Sequence, residues 1–119
     1  MQRMDLHTHS YFSDGTLSPS ALIAHAHAHQ VDMLALTDHD TLDGLPEARQ
    51  AAQQHGLELI DGVEISSQWQ KPAKKNAMGV HILALAPKNT APLQDLLAAQ
   101  QQIRAARAVQ ICQRLEKIA

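Results

Sequence analysis

Two histidines near the start of the chain have the spacing of a metal-binding pair. His7 and His9 are two residues apart in Met4 to His9, a segment that has the pattern of a short strand. Alternate residues of a strand project from one face, so the two imidazoles can bind one ion together. Asp14 follows in Ser13-Asp14-Gly15, where the glycine allows a tight turn back over the strand end. This mixture of imidazole and carboxylate ligands suits a divalent transition metal.

Further polar residues follow a second predicted strand. Thr37-Asp38-His39-Asp40 comes directly after the buried strand predicted for Met33 to Thr37. An open parallel sheet presents functional groups at the carboxyl ends of its strands. We therefore expect these polar side chains to belong to a site rather than to the core.

Glu64 and His81 each interrupt an apolar segment. Glu64 comes at the end of the strand predicted for residues 57–65, where its carboxylate could bridge two cations, and His81 lies within the apolar run 80–85. Taken alone, His81 could simply be a buried histidine with a partner. Likewise, His7 and His9 alone could be surface histidines. Three strand ends that all offer histidine or carboxylate favour a metal site instead.

The elements that would position these residues alternate along the chain. Ser18 or Ser20 is a candidate N-cap for a helix that reaches about Gln30. Residues 44–55 predict a second helix, closed by Gly56. The order strand, helix, strand, helix, strand predicts a parallel sheet with right-handed crossovers.

Three more histidines lie in the first predicted helix. His25 and His29 are four residues apart and share a helix face, whereas His27 points elsewhere. We interpret the three as surface residues without a function.

The second half of the chain predicts a loop, a strand and a long helix. Residues 66–77 are polar, which favours an exposed loop before the strand predicted for 79–86. The lysines of this loop are Lys71, Lys74 and Lys75. From Pro92 onward apolar residues recur at roughly helical spacing, which predicts a helix. No Gly or Pro ends this helix, and no return strand follows it in the sequence. The fold is therefore expected to be cut rather than completed.

Composition narrows the class of protein. The chain has 119 residues and a net charge of −2, which indicates one domain without a general attraction to nucleic acid or anionic membranes. A single cysteine and the lack of a signal peptide pattern predict a cytoplasmic protein. The apolar runs are shorter than the roughly 20 residues of a membrane-spanning helix, so no membrane partner is expected. The scarcity of aromatic residues disfavours a protein dedicated to binding single-stranded nucleic acid, because such proteins stack bases on aromatic side chains.

In their order along the chain, these motifs resemble the early motifs of PHP (polymerase and histidinol phosphatase) domains. The matching runs are Asp5 to Ser10, Ser13 to Gly15, Leu36 to Thr41, Gly62 to Ser66 and Val80 to Leu83. The resemblance spans nearly the whole chain and is closest to bacterial nucleoside 3′,5′-bisphosphate phosphatases that also act as 5′-to-3′ exoribonucleases. It implies an α/β fold: an incomplete, distorted (β/α)7 PHP barrel of parallel strands and crossover helices, with a long C-terminal helix.

The resemblance also implies up to three divalent ions, of manganese, zinc or iron. Matching motifs distribute six ligands among these ions: His7 and His9 with Glu64, Asp14 with His39, and Glu64 with His81. Family members add a later histidine and a late Asp-x-His pair, and this sequence ends before either. The chain alone is therefore expected to hold fewer ions and to be nearly inactive.

The implied activity is hydrolysis of phosphate esters of nucleotides or short RNA by metal-activated water. Asp38 and Asp40 are suited to orient a ligand histidine through its second ring nitrogen, or to cap the following helix, and we favour a structural role for Asp40. Two alternatives stay open: a histidinol-phosphate-type phosphatase, and a non-catalytic metal-binding PHP module or fragment. Metal identity and oligomeric state also stay open.

The domain division follows from the same resemblance. Residues 1–90 would form the N-terminal part of the barrel and residues 91–119 the start of a helical insertion, with the C-terminal part of the domain absent. Arg104 and Arg107 occupy positions from which arginines of such an insertion would face phosphate. A solvated helix face explains them equally well.

Overall fold

The computed structural model describes residues 1–72 and 75–118. It divides the chain into two units, Met1–Lys88 and Asn89–Ala119. Within the described residues, the first unit contains β1 (Met4–Thr8), α1 (Pro19–Ala28), β2 (Met33–Leu36), α2 (Leu45–His55), β3 (Glu58–Trp69) and β4 (Met78–Leu85). The second unit contains one long helix, α3 (Ala91–Glu116).

The four strands form a mixed sheet in the order β1-β2-β3-β4. β1 pairs with β2 and β2 with β3 in parallel, so the predicted crossovers through α1 and α2 are confirmed. β4 differs from the predicted parallel arrangement, because it runs antiparallel to β3. The connection of residues 70–77 is too short for a parallel crossover, which needs a dozen or more residues, but long enough for a hairpin. The unit is thus an incomplete α/β barrel with a mostly parallel sheet.

The two crossover helices begin and end where their capping residues allow. The side chain of Ser18 accepts a hydrogen bond from the backbone N–H of Ala21 at 3.1 Å, so Ser18 is the N-cap of α1. The helix ends before the predicted Gln30, which has a φ of 60° and lies outside helical geometry. α2 ends at Gly56, whose φ of 66° is the left-handed conformation that glycine adopts without strain.

The core of the first unit packs the two helices against the sheet. Its buried members come chiefly from α1, β2 and α2, and they are Ile23, Ala26, Leu34, Leu36, Leu45, Ala48, Ala51, Ala52 and Leu57. Burial of each large side chain contributes about 1.5 to 3 kcal/mol, and the alanines of α2 let this helix approach the sheet closely. Because β2 is buried and paired on both sides, the segment that follows it is held on a rigid support.

The predicted loop at residues 66–77 is partly wrong. β3 continues to Trp69, because the backbone of its polar second half pairs with β4 regardless of side-chain polarity. Of the loop lysines, Lys71 and Lys75 are exposed, and Lys74 lies outside the described residues.

The long helix α3 coincides with the predicted C-terminal helix. It starts at Ala91, has Pro92 in its first turn and continues to Glu116. Within the described part of the chain, no helix is both long enough and apolar enough to cross a membrane. The assignment of this helix to an insertion stays a prediction.

Candidate metal centre

Six imidazole and carboxylate side chains of the first unit meet around one point of the sheet. They are the predicted ligands His7, His9, Asp14, His39, Glu64 and His81. They form three overlapping groups, in each of which the ligand atoms lie within 4.8 Å of one another. The groups are His7, His9 and Glu64; His9, Asp14 and His39; and His39, Glu64 and His81. The structure therefore brings together all six residues. In addition to the predicted grouping, His9 belongs to both the first and the second group, and His39 to both the second and the third.

Glu64 is at the centre of this cluster. It is 6% exposed, and its Oε2 lies 2.9 Å from His7 Nε2, 3.1 Å from His9 Nε2 and 3.6 Å from His39 Nε2. Its other oxygen, Oε1, lies 3.3 Å from His81 Nδ1. Since the two oxygens of one carboxylate face different histidines, Glu64 has the geometry of a bridging ligand.

Backbone pairing fixes Glu64 beside the turn that follows β2. Its N–H donates to the carbonyl oxygen of Asp38 at 3.1 Å, and its carbonyl oxygen accepts from the N–H of Asp40 at 3.0 Å. These bonds make His39 and Glu64 partners in a parallel bridge. The strand pairing of β2 with β3 thus continues into the site and sets the spacing between an imidazole and the central carboxylate.

The environment of Glu64 keeps its carboxyl ionised. Burial raises the pKa of Glu64, but the hydrogen bond to His7 and the charges of His39, His7 and His9 lower it by more, so the net pKa lies below its usual value. An anionic oxygen surrounded by imidazoles is therefore present at neutral pH.

Several ring nitrogens of the cluster lie so close together that hydrogen bonds alone do not account for all of their contacts. His7 Nε2 and His9 Nε2 lie 3.1 Å apart, and both lie near the same oxygen of Glu64. A neutral imidazole carries one proton, so not every nitrogen here can be a donor. Neighbouring ligands of an ion with bonds of about 2.1 Å are roughly 3.0 to 3.4 Å apart. The donor set and its spacing therefore fit a divalent ion.

Asp14 reaches the cluster through a tight turn. The N–H of Gly15 donates to the carbonyl oxygen of Ser10 at 2.9 Å, and a Cβ at Gly15 would lie 2.3 Å from the carbonyl oxygen of His9. Only glycine fits this approach. The turn places Asp14 Oδ1 3.4 Å from His9 Nδ1 and Asp14 Oδ2 3.4 Å from His39 Nε2.

Asp38 anchors the same turn. It is 2% exposed; its Oδ1 accepts from the N–H of Ser10 and the hydroxyl of Ser13, both at 2.7 Å, and its Oδ2 accepts from the Ser10 hydroxyl at 2.6 Å. These contacts differ from the predicted orientation of a ligand histidine. Within the described residues, the buried Nδ1 of His39 has no hydrogen-bond partner. Neither serine was among the predicted site residues, although hydroxyls that flank a tight turn are typical of such an anchor.

Asp40 connects the turn after β2 to β3. Its Oδ1 accepts a hydrogen bond from the N–H of Ser66 at 2.8 Å, and its backbone has a φ of 54°, unusual for a residue other than glycine. The N-cap of α2 is Gly44, so Asp40 does not cap that helix. The capping role that we favoured for Asp40 is therefore not observed, and its carboxylate holds the turn against β3 instead.

His81 is more exposed than the sequence suggested, and the two arginines lie outside the first unit. His81 lies on β4 and is exposed, where the sequence suggested a buried histidine, because within the described residues β4 is the last strand of the sheet. Arg104 and Arg107 lie in α3, within the second unit. Their contact with phosphate stays a prediction.

Fold and site together define the class: an incomplete α/β barrel with histidine and carboxylate ligands gathered on its sheet. Residues 5–116 match the sequence pattern of the PHP domain. The chain belongs to the PHP domain family, which confirms the resemblance carried by the motifs.

Relatives within this family are named as enzymes that act on RNA or nucleotides. The chain is 46% identical over 117 residues to a 5′-3′ exoribonuclease of Haemophilus influenzae, covering 98% of this chain and 40% of the relative. It is 44% identical over 85 residues to a 3′,5′-nucleoside bisphosphate phosphatase of Chromobacterium violaceum, covering 71% of this chain and 28% of the relative. The chain thus spans less than half the length of these relatives.

A solved structure shares the fold. An amidohydrolase from Chromobacterium violaceum, described with bound sulfate and no metal, superimposes with a TM-score of 0.87 at 38% identity. The match covers 98% of this chain and 39% of that protein. The arrangement of strands and helices is therefore that of part of a larger protein.

Proposed function

We propose that the chain is part of a metal-dependent phosphoesterase that hydrolyses phosphate esters of nucleotides or short RNA. The type of activity is that of a 3′,5′-nucleoside bisphosphate phosphatase and 5′-to-3′ exoribonuclease. The observation that carries the proposal is Glu64, whose two oxygens face histidines from β1, from the turn after β2 and from β4. The names of the two relatives support the substrate class.

Each ligand group has a defined place in the proposed centre. One ion would be held by His7, His9 and Glu64, a second by Asp14 and His39, and a third by Glu64 and His81. In each of these groups the ligand atoms lie within 4.8 Å of one another. Bound divalent ions would lower the pKa of a water molecule and neutralise charge on the phosphate oxygens.

The chain's own residues position the ligands, some of which are buried and others exposed. Glu64 is buried and ionised, and Asp38 holds the turn that carries Asp14. His7 and His81 have side chains that are 51% and 53% exposed. Within the described residues, the cluster therefore has a buried side that is fixed by the fold and an exposed side that carries His7 and His81.

Imidazole and carboxylate ligands accept manganese, zinc and iron, and we propose up to three such ions in the whole protein. The family resemblance implies further ligands from a later histidine and an Asp-x-His pair. Activity is therefore proposed for the whole protein, and the partner is a small phosphorylated substrate, a nucleotide or a short RNA.

Metal content tests the site directly. Protein purified without chelator is analysed by plasma mass spectrometry as wild type, His7→Ala and Glu64→Ala. We expect bound transition metal in the wild type and less in both variants. Glu58→Ala, an exposed glutamate of the same strand, is the matched control and should keep the wild-type content. Equal metal content in all four proteins would contradict the site.

Substrate turnover tests the activity. The whole protein is assayed with a nucleoside 3′,5′-bisphosphate, a short RNA and histidinol phosphate, before and after chelation and after addition of Mn²⁺. We expect the first two substrates to be hydrolysed in a metal-dependent manner. Preference for histidinol phosphate would assign the protein to the other phosphatase type, and bound metal without any turnover would indicate a non-catalytic module.

A further inference from the structure

A second group of histidines lies at the C-terminal end of α1, a helix that carries none of the six residues of the proposed centre. His25 and His29 are both exposed, and their ring centroids are 4.3 Å apart with the planes tilted by 42°. Residues four apart project from the same helix face. Two imidazoles are thus already adjacent and accessible to solvent.

A hydrogen bond fixes the tautomer of one of these rings. Nδ1 of His29 lies 2.9 Å from the backbone carbonyl oxygen of His25. A carbonyl oxygen only accepts, so Nδ1 is the donor and carries the proton. In the neutral ring, Nε2 then has the free lone pair. Ligand histidines typically have this arrangement, in which one ring nitrogen donates to a carbonyl oxygen and the other binds the metal.

Two weaker electrostatic effects act at this helix end. The C-terminal carbonyls of a helix carry partial negative charge, which favours a nearby cation by about 0.3 to 1 kcal/mol. The guanidinium of Arg3 donates to the carbonyl oxygen of His29 at 3.5 Å, and its charge opposes a second cation. These effects have opposite signs, and the ligands for an ion are the two imidazole nitrogens.

We propose that His25 and His29 form a bidentate surface site for a late first-row divalent ion, Cu²⁺, Ni²⁺ or Zn²⁺. Water completes the coordination sphere. Two histidines four residues apart on one helix face are also the pair that binds zinc in helical His-x-x-x-His motifs. Affinity of nitrogen ligands rises toward Cu²⁺, so Cu²⁺ is the most sensitive probe. The bound ion connects the last turn of α1 to its C-cap and stabilises it.

The test counts Cu²⁺ equivalents by isothermal titration in wild type, His25→Ala and His29→Ala. Ions taken up by the centre around Glu64 are common to all the proteins and cancel in the comparison. We expect one equivalent fewer in each variant, and electron paramagnetic resonance of that equivalent should show two nitrogen ligands. His27→Ala serves as a second background, because the ring of this exposed histidine lies against His55 instead, with centroids 5.1 Å apart, and an ion held by that pair must be counted separately. In the His27→Ala background, His25→Ala should still remove one equivalent.

Two results would overturn the proposal. One is an unchanged number of equivalents in His25→Ala; the other is the absence of any further loss when His25→Ala is added to His27→Ala, which would place the ion elsewhere. Thermal unfolding gives a second measurement. An ion that binds only the folded helix raises Tm, so Cu²⁺ should raise Tm more in the wild type than in His25→Ala. Circular dichroism without metal checks that all variants are folded.

Discussion

Glu64 and Asp38 are both buried carboxylates, yet their neighbours give them different tasks. Glu64 faces imidazole nitrogens, several of which must present lone pairs, so the group suits a cation. Asp38 accepts three hydrogen bonds from Ser10 and Ser13, which satisfy its charge. The first carboxylate is therefore available to a ligand, whereas the second holds a turn in place.

Removal of the Asp38 carboxylate tests the anchor. In Asp38→Ala, the buried N–H and hydroxyl of Ser10 lose their acceptor, so we expect the free energy of unfolding to fall by about 3 kcal/mol. Urea denaturation followed by circular dichroism measures this change. Asp43→Ala is the control, since Asp43 is exposed and should change stability by less than about 0.5 kcal/mol. Similar losses in both variants would show that Asp38 has no special role.

A methyl group at Gly15 tests the turn that carries Asp14. The new Cβ would meet backbone atoms of His9 and Ser10 at 2.3 to 2.9 Å, so the turn must shift. We expect Gly15→Ala to lose about 1 to 3 kcal/mol of stability and to bind less metal, as measured by urea denaturation and plasma mass spectrometry. A Cβ at Gly79 has no neighbour within 4 Å, so Gly79→Ala should match the wild type in both measurements.

The sequence was sufficient to select the six candidate ligands but not the partners of Asp38. Residue type and position at strand ends selected the ligands, and strand pairing then brought Glu64 beside His39. The bonds of Asp38 join residues up to 28 positions apart. The direction of a side chain that leaves a turn depends on such distant contacts, which no local pattern contains.

A polar contact joins the two crossover helices. Oε1 of Glu47 in α2 accepts from the hydroxyl of Ser20 in α1 at 2.7 Å and from its N–H at 3.0 Å. The Ser20 hydroxyl, and then the Ser20 N–H, lower the pKa of Glu47 below its usual value, while burial opposes them. Because this pKa is lower in the folded state, the contact stabilises the fold above the unfolded pKa of 4.5 and loses this effect as pH falls below it.

The pH dependence of stability tests this contact. We expect Glu47→Gln to be less stable than the wild type at pH 7 by less than about 1 kcal/mol, since the pair is partly solvated. The difference should narrow when urea denaturation is repeated at pH 3. Glu58→Gln replaces an exposed glutamate and should show no such narrowing. A difference that is the same at both pH values would exclude the ionised carboxylate as its source.

The end of α2 was easier to predict than the extent of the hairpin formed by β3 and β4. Gly56 ends α2 at the predicted position, because a left-handed residue after a helix favours glycine. β3 instead continues to Trp69 through residues whose polarity predicted a loop. Its second half is stabilised by pairing with β4, and the antiparallel direction of β4 likewise depends on the short connection rather than on composition.

The two units should differ in local stability. β2 is buried and paired on both sides, whereas most side chains of α3 are exposed, including Ile103, Val109 and Leu115. A helix without extensive packing is marginal in water. We expect amide hydrogen exchange, followed by mass spectrometry, to be slowest in β2 and much faster in α3. Added Mn²⁺ or Zn²⁺ should slow exchange further around Glu64, and equal protection of α3 and β2 would contradict this view.

The position of each strand in the sheet is the same as its position in the chain. During synthesis, every new strand can therefore add to the open edge of the strand made just before it, and none has to insert between two that are already paired. The six candidate ligands lie on these strands or in the segments that follow β1 and β2. The last of the six candidate ligands in the described residues is thus made with β4, so that all six are present once the first unit has been synthesised.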